Sequence, residues 1–200
     1  MKIGVLSVQG AFSEHERALK RAADEMNIEM DIIRVKSPET VLDIDGLVIP
    51  GGESSTISRL VEKFEIRQSI LDISDEGIPI MGTCAGSILL ASEGDEAVER
   101  SGTSLLSLMN MSVKRNAFGR QRYSFECRVD LNGICEDFPA VFIRAPAIQK
   151  CYGKCRSLSK IEKVSIAAEQ ENLLSLVFHP ELTDDLRIHR YFIEKVIDHP

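Results

Sequence analysis

Short apolar runs rich in β-branched residues recur along the first half of the chain, at positions 2–8, 30–35, 46–49 and 78–82. Between them the apolar spacing changes from runs to steps of three and four. Ala18, Leu19, Ala22, Ala23 and Met26 mark one face of a helix. Residues 54–63, 66–74 and 85–91 read as helical too. Ser13-Glu14-His15-Glu16 has the form of a capping box, and Ser54 or Ser55 can cap the next helix. Strands alternating with helices imply a parallel sheet covered on both faces.

The second half has a different texture. Strand-like runs at 109–114, 122–130, 140–144 and 163–168 follow one another with little helix between them, which predicts antiparallel additions to the sheet. A run at 173–178 returns as a strand. Thr183 then caps a closing helix, with Asp184 and Asp185 in its first turn and Ile188, Tyr191, Phe192, Lys195 and Val196 at helical spacing. The expected fold is α/β, a three-layer arrangement with a mixed, mainly parallel central sheet flanked by helices. No repeat, low-complexity tract or shift in composition divides residues 1–200, so one domain is expected.

Charge and composition exclude several classes. The net charge of −7 argues against nucleic acid or an anionic membrane as the main partner. No segment approaches the ~20 apolar residues that cross a bilayer. The first residues read as a strand rather than an export signal. The cysteines at 84, 127, 135, 151 and 155 are odd in number, so reduced thiols in the cytoplasm are expected. Cys151 and Cys155 lie four apart, but no second pair with zinc-like spacing accompanies them, and no metal site is expected. Lys114, Arg115, Arg120 and Arg122 make a local cationic cluster that, on charge alone, reads as a solvated loop.

The chemistry concentrates in two places. Gly82-Thr83-Cys84-Ala85-Gly86 follows the apolar run at 78–81 and has the layout of a nucleophile elbow, a sharp strand-to-helix turn that exposes its central side chain. Cys84 alone reads as a small buried residue, because buried cysteines are common. His179-Pro180-Glu181 supplies a base and an acid two positions apart, which a strand would aim to the same face. His15 falls at a predicted helix start and His189 and His199 in the C-terminal helix, which leaves His179 as the partner for Cys84. Glu181 would orient His179 and stabilise its charged form. Acyl transfer also needs oxyanion donors. The Ala85 amide, directly after the nucleophile, is one. Gly52, in the loop Pro50-Gly51-Gly52-Glu53-Ser54 at the same sheet edge, is the second.

These segments resemble the class I, or triad, glutamine amidotransferases, whose domains are flavodoxin-like α/β folds. Gly4–Gly10, Pro50–Thr56, Arg115-Asn116-Ala117-Phe118-Gly119-Arg120-Gln121, Phe142–Pro146 and 179–185 narrow the resemblance to the glutaminase subunit of two-component pyridoxal 5′-phosphate synthases. The resemblance implies hydrolysis of L-glutamine to L-glutamate and ammonia through Cys84, His179 and Glu181 and a γ-glutamyl thioester, without metal or organic cofactor. It implies substrate binding by Gly52, Glu53, Ser54, Arg115, Ile143 and Arg144, and so a role for part of the basic cluster. It also implies delivery of ammonia to a synthase subunit of (β/α)₈-barrel fold in a hetero-oligomeric complex. The segment at Gln9-Gly10 and the helix after it are candidate contacts for that subunit. Residues 149–159 match no part of the pattern. A glutaminase serving imidazole glycerol phosphate formation would share the triad but lack the 115–121 match. A non-enzymatic redox protein of related fold would carry the elbow cysteine without His179 and Glu181 in register.

Overall fold

Apolar and small residues fill three short strands, and that is what allows them to lie in the middle of the molecule. Every residue of β3 (Gly46–Ile49), β4 (Ile80–Thr83) and β12 (Leu173–Leu176) is buried, as expected of parallel strands covered on both faces. The computed structural model describes residues 1–117 and 124–199. Its main sheet runs outward from β3 through β1 (Lys2–Leu6) to β2 (Asp31–Val35), all parallel. On the other side β4 and then β12 continue the parallel set. From β12 the sheet turns antiparallel through β11 (Val164–Gln170), β9 (Ala147–Cys151) and β6 (Met109–Lys114), ending on β5 (Ala91–Gly94), which runs parallel to β6. β10 (Arg156–Ile161) pairs with β11, and β7 (Ser124–Leu131) with β8 (Cys135–Ile143) forms a separate hairpin.

The helices are α1 (Phe12–Met26), α2 (Pro38–Val41), α3 (Ser54–Lys63), α4 (Ile66–Asp75), α5 (Ala85–Leu90), α6 (Glu96–Arg100) and α7 (Arg187–Ile197). α1 packs on α7, while α3 packs on both α4 and α5. One continuous apolar core joins the two sides of the sheet, from Ile3 and Leu19 to Phe192 and Val196. The mixed α/β architecture agrees with the pattern read from sequence. Among the described residues no helix is long and apolar enough to cross a membrane.

Local differences have physical causes. Ser13 and Glu16 form no capping box. α1 starts at Phe12 with Ala11 at its N-cap, because the Ala11 amide donates to the Gly51 carbonyl and draws the helix start upstream. Glu16 instead holds the Arg34 guanidinium through two bonds of 2.9 Å. α3 has Glu53 at its N-cap and no side-chain cap. Thr183 does not cap α7. Its hydroxyl accepts the Asp185 amide, and Asp185 in turn accepts the Arg187 amide at 3.1 Å, which moves the helix start to Arg187. Residues 149–159, unmatched in the sequence, complete β9 and begin β10 around a turn at 152–155.

Candidate active site

Three neighbouring parallel strands end at one edge of the sheet, and each hands over one part of the site. β3 and β4 are in register at Ile49 and Gly82, and β12 and β4 at Leu176 and Thr83. Beyond Ile49 comes the glycine-rich loop, beyond Thr83 comes Cys84, and beyond Leu176 comes the segment leading to His179. The clustering is therefore a result of strand order.

Cys84 sits at the elbow with φ 49° and ψ −100°, in the left-handed half of backbone space that non-glycine residues avoid. Such a conformation costs about 1–3 kcal/mol and persists only where the surroundings impose it. Here the imposing bond is from the Cys84 amide to the Leu176 carbonyl, 2.8 Å long. A β-carbon on Gly51 would lie 2.5 Å from His179 Cε1 and 3.3 Å from Cys84 Cβ, so glycine at this position leaves room for thiol and imidazole to stand side by side.

His179 is fixed from two sides. Its amide donates to the Val141 carbonyl in β8 at 2.8 Å, and the preceding Phe178 packs between Phe138 and Phe142. Its Nδ1 lies 2.7 Å from Glu181 Oε1. The sequence places this pair on a strand, and the structure corrects that. β12 stops at Leu176, and Pro180–Leu182 is a single 3₁₀ turn with proline in its first position. The tight turn brings the two side chains together as a strand would have done. Burial pulls the His179 pKa down, but hydrogen bonds and negative charge from Cys84 and Glu181 prevail and lift it to about 10. Burial works against the Glu181 carboxylate, while the neighbouring His15 and His179 rings and the His179 hydrogen bond hold it below the usual range.

The remaining candidates are distributed around this centre. Ile143 ends β8, and its carbonyl lies 4.0 Å from Cys84 Sγ. Arg144 follows with a positive φ of 43° and an exposed side chain. Glu53 and Arg115 are ion-paired with each other, and the Arg115 amide donates to Asp95 Oδ1. Gly52 packs against the turn at Gln9-Gly10, while Gln9 Oε1 accepts the Glu53 amide at 2.9 Å. Ala85 is buried at the start of α5. Ser54 is buried, with its hydroxyl 3.3 Å from that of Thr103. Arg120 and Arg122 lie outside the described residues.

One feature of the site was passed over in the sequence. His15, on α1, is 0% exposed and places Nε2 3.3 Å from Glu181 Oε2 and 3.0 Å from Thr83 Oγ1. His189, on α7 and also 0% exposed, lies 3.3 Å beyond it. Spacing gave no warning, because the contacts depend on α1 packing against the turn at Pro180–Leu182 and against α7. Two histidines on the apolar faces of helices were the available signal.

Burial lowers the pKa of both rings, His189 to about 3. An unfolded chain protonates them near pH 6.5, whereas the folded chain does so only at lower pH. Stability is therefore lost as pH falls below about 6.5, with a slope of up to about 1.4 kcal/mol per pH unit for each ring. Glu181, also held low, adds loss of the same sign at lower pH. His179 has the opposite sign, but its window lies between about 6.5 and 10 and leaves the acid limb untouched. Urea unfolding from pH 7 to pH 4 should show stability falling steadily, and His189→Phe should flatten that slope.

A profile of the SNO glutamine amidotransferase family matches residues 5–198. This chain belongs to the SNO glutamine amidotransferase family. Among curated relatives, it is similar to a pyridoxal 5′-phosphate synthase subunit PdxT from Methanosarcina acetivorans, 51% identical over 98% of this chain and 99% of that one. A PdxT from Saccharolobus islandicus is 46% identical over 98% of this chain and 99% of its own length. Among solved structures, a crystal structure of a glutamine amidotransferase superposes with a TM-score of 0.86 at 37% identity, covering 97% of this chain and 98% of that one. The family resemblance read from the motifs is thus borne out.

Proposed function

We propose that this chain, the glutaminase subunit of a pyridoxal 5′-phosphate synthase, frees ammonia through a Cys84–His179–Glu181 triad. The observation that carries the reading is His179 held between the thiol and a buried carboxylate, with its pKa raised by both. Cys84 Sγ attacks the side-chain amide carbon of L-glutamine. The amides of Gly52 and Ala85 receive the developing oxyanion, a role worth about 10²–10³ in turnover per donor. His179 passes its proton to the departing ammonia, leaving a γ-glutamyl thioester. It then takes a proton from the water that releases L-glutamate. Glu181 stays ionised throughout and stabilises the imidazolium.

The Glu53–Arg115 pair suits an α-amino acid. Arg115 grips the α-carboxylate and Glu53 the α-ammonium, so binding the zwitterion replaces one ion pair with two. Ser54, Ile143 and Arg144 complete the substrate pocket. No cofactor enters any step. The chain acts as one glutamine amidotransferase domain, works in the cytoplasm, and passes ammonia to a synthase subunit of (β/α)₈-barrel fold within a hetero-oligomeric complex. Direct transfer has a chemical reason, since free ammonia at neutral pH is largely ammonium and a poor nucleophile.

The test is glutamate release from L-glutamine with and without the synthase subunit. Stimulation by the synthase is the expected result. High activity without it would keep the triad and remove the dependence on the partner. No release in a demonstrated complex of folded subunits would overturn the reading.

A further inference from the structure

The triad does not end at Glu181. Its second oxygen, Oε2, is buried and has no aligned hydrogen-bond partner among the described residues, although a His15 nitrogen lies 3.3 Å away. A carboxylate this deep must have both oxygens served, because an unserved buried charge is costly. We infer that His15 is a positioning residue for the triad, held by His189 in the tautomer that presents an Nε2 proton to Glu181 Oε2. This inference rests on the triad reading above.

The tautomer follows from the contacts. His15 Nε2 faces Glu181 Oε2 and the Thr83 hydroxyl, and His15 Nδ1 faces His189 Nε2 at 3.3 Å. With its proton on Nδ1, His15 would turn a lone pair toward a carboxylate, which is repulsive. With its proton on Nε2, the chain of donors runs one way. His189 Nε2 donates to His15 Nδ1, His15 Nε2 aims its N–H at the Thr83 hydroxyl 3.0 Å away and extends the same proton toward Glu181 Oε2 at 3.3 Å, and His179 Nδ1 donates to Glu181 Oε1. The scheme leaves His189 Nδ1 as a bare acceptor, and that atom is indeed buried without a partner.

The arrangement has a use. A charged group behind Glu181 would compete with the imidazolium for its negative charge. A neutral donor fixes the plane of the carboxylate and leaves that charge to His179. Burial keeps both rear histidines neutral, in support of the geometry. The titratable groups that bear on Glu181 are His179 on its own turn, His15 on α1, His189 on α7, Glu14 through its effect on His15, and Cys84 through His179.

Two measurements test this. In the full-length wild-type protein, long-range ¹H–¹⁵N spectra should show His15 protonated at Nε2 and bare at Nδ1. An Nδ1-protonated ring or an imidazolium at pH 7 would overturn the inference without any variant needing to fold. In the complex with the synthase, His15→Leu should lower kcat by roughly 10–100-fold with KM within about twofold, the loss of one hydrogen bond to a buried charge. Its acid limb should move up by about one pH unit, because a carboxylate that has lost a donor binds its proton more readily. His15→Gln, whose amide nitrogen reaches a similar position, should recover much of both. A folded His15→Leu with wild-type kcat and acid limb, or a His15→Gln as slow as His15→Leu, would overturn the donor role. Cys84→Ala run alongside separates the two readings: if it retains turnover, the triad itself is wrong, and if it is inactive while His15→Leu is normal, only this inference fails.

Discussion

Cys84→Ala should abolish glutamate release, with kcat reduced on the order of 10⁴-fold or more and the fold intact. The loss is large because the thioester route has no substitute: oxyanion donors and a raised imidazole cannot act without a nucleophile to acylate. The variant should fold, since the strained backbone at position 84 is held by the Cys84 amide on Leu176 rather than by the sulfur. Substrate binding should survive, because Glu53 and Arg115 stand on other segments. The check is single-turnover glutamate release together with glutamine binding by calorimetry. Wild-type turnover from Cys84→Ala would end the covalent mechanism.

The second large effect falls on folding. A β-carbon on Gly86 would lie 2.1 Å from the Ile49 carbonyl oxygen, a backbone atom at the end of β3 that no rotamer change can move. Gly86→Ala must therefore push α5 away from β3 or break the elbow. Overpacking of this kind costs about 3 kcal/mol or more, which for a chain this size lowers Tm by roughly 6–12 °C. Thermal unfolding with retained secondary structure reads the effect directly. A Tm within about 2 °C of wild type would mean that α5 can withdraw from β3 at little cost.

The parallel half of the molecule was legible because its signals are local. β3 was bounded correctly at 46–49 by the apolar run and the Pro50-Gly51-Gly52 loop, and β6 at 109–114 by its own run. β5, β9 and β10 were missed for an equally physical reason. Ser92 and Glu93 give β5 no apolar alternation, and β9 is a short strand held by partners distant in the chain, β6 and β11. β10 pairs with the adjacent β11 across the turn at 162–163, but its polar Ser157, Ser159 and Lys160 leave only Leu158 and Ile161 as an apolar signal. The elbow and the His-Pro-Glu run were readable because both are contiguous motifs. The pairing of His179 with Glu181 was anticipated, but the sequence pointed to a strand where proline opens a 3₁₀ turn. His15 was not readable: nothing near residue 15 in the chain points to residue 181, and only the packing of α1 brings them together.

The bond from the Cys84 amide to the Leu176 carbonyl also bears on synthesis. β12 is the last strand to be made, yet it lies between β4 and β11 in the finished sheet. A nascent chain can align β1, β2, β3 and β4 as they emerge from the ribosome, but the turn at Cys84 then lacks its anchor, and His179 has not been translated. Insertion of β12 closes the sheet, braces the turn at Cys84 and brings His179 beside it. Such late, long-range pairing is slow to form. In return, under the proposed mechanism, a truncated or half-made chain has no means of wasting glutamine.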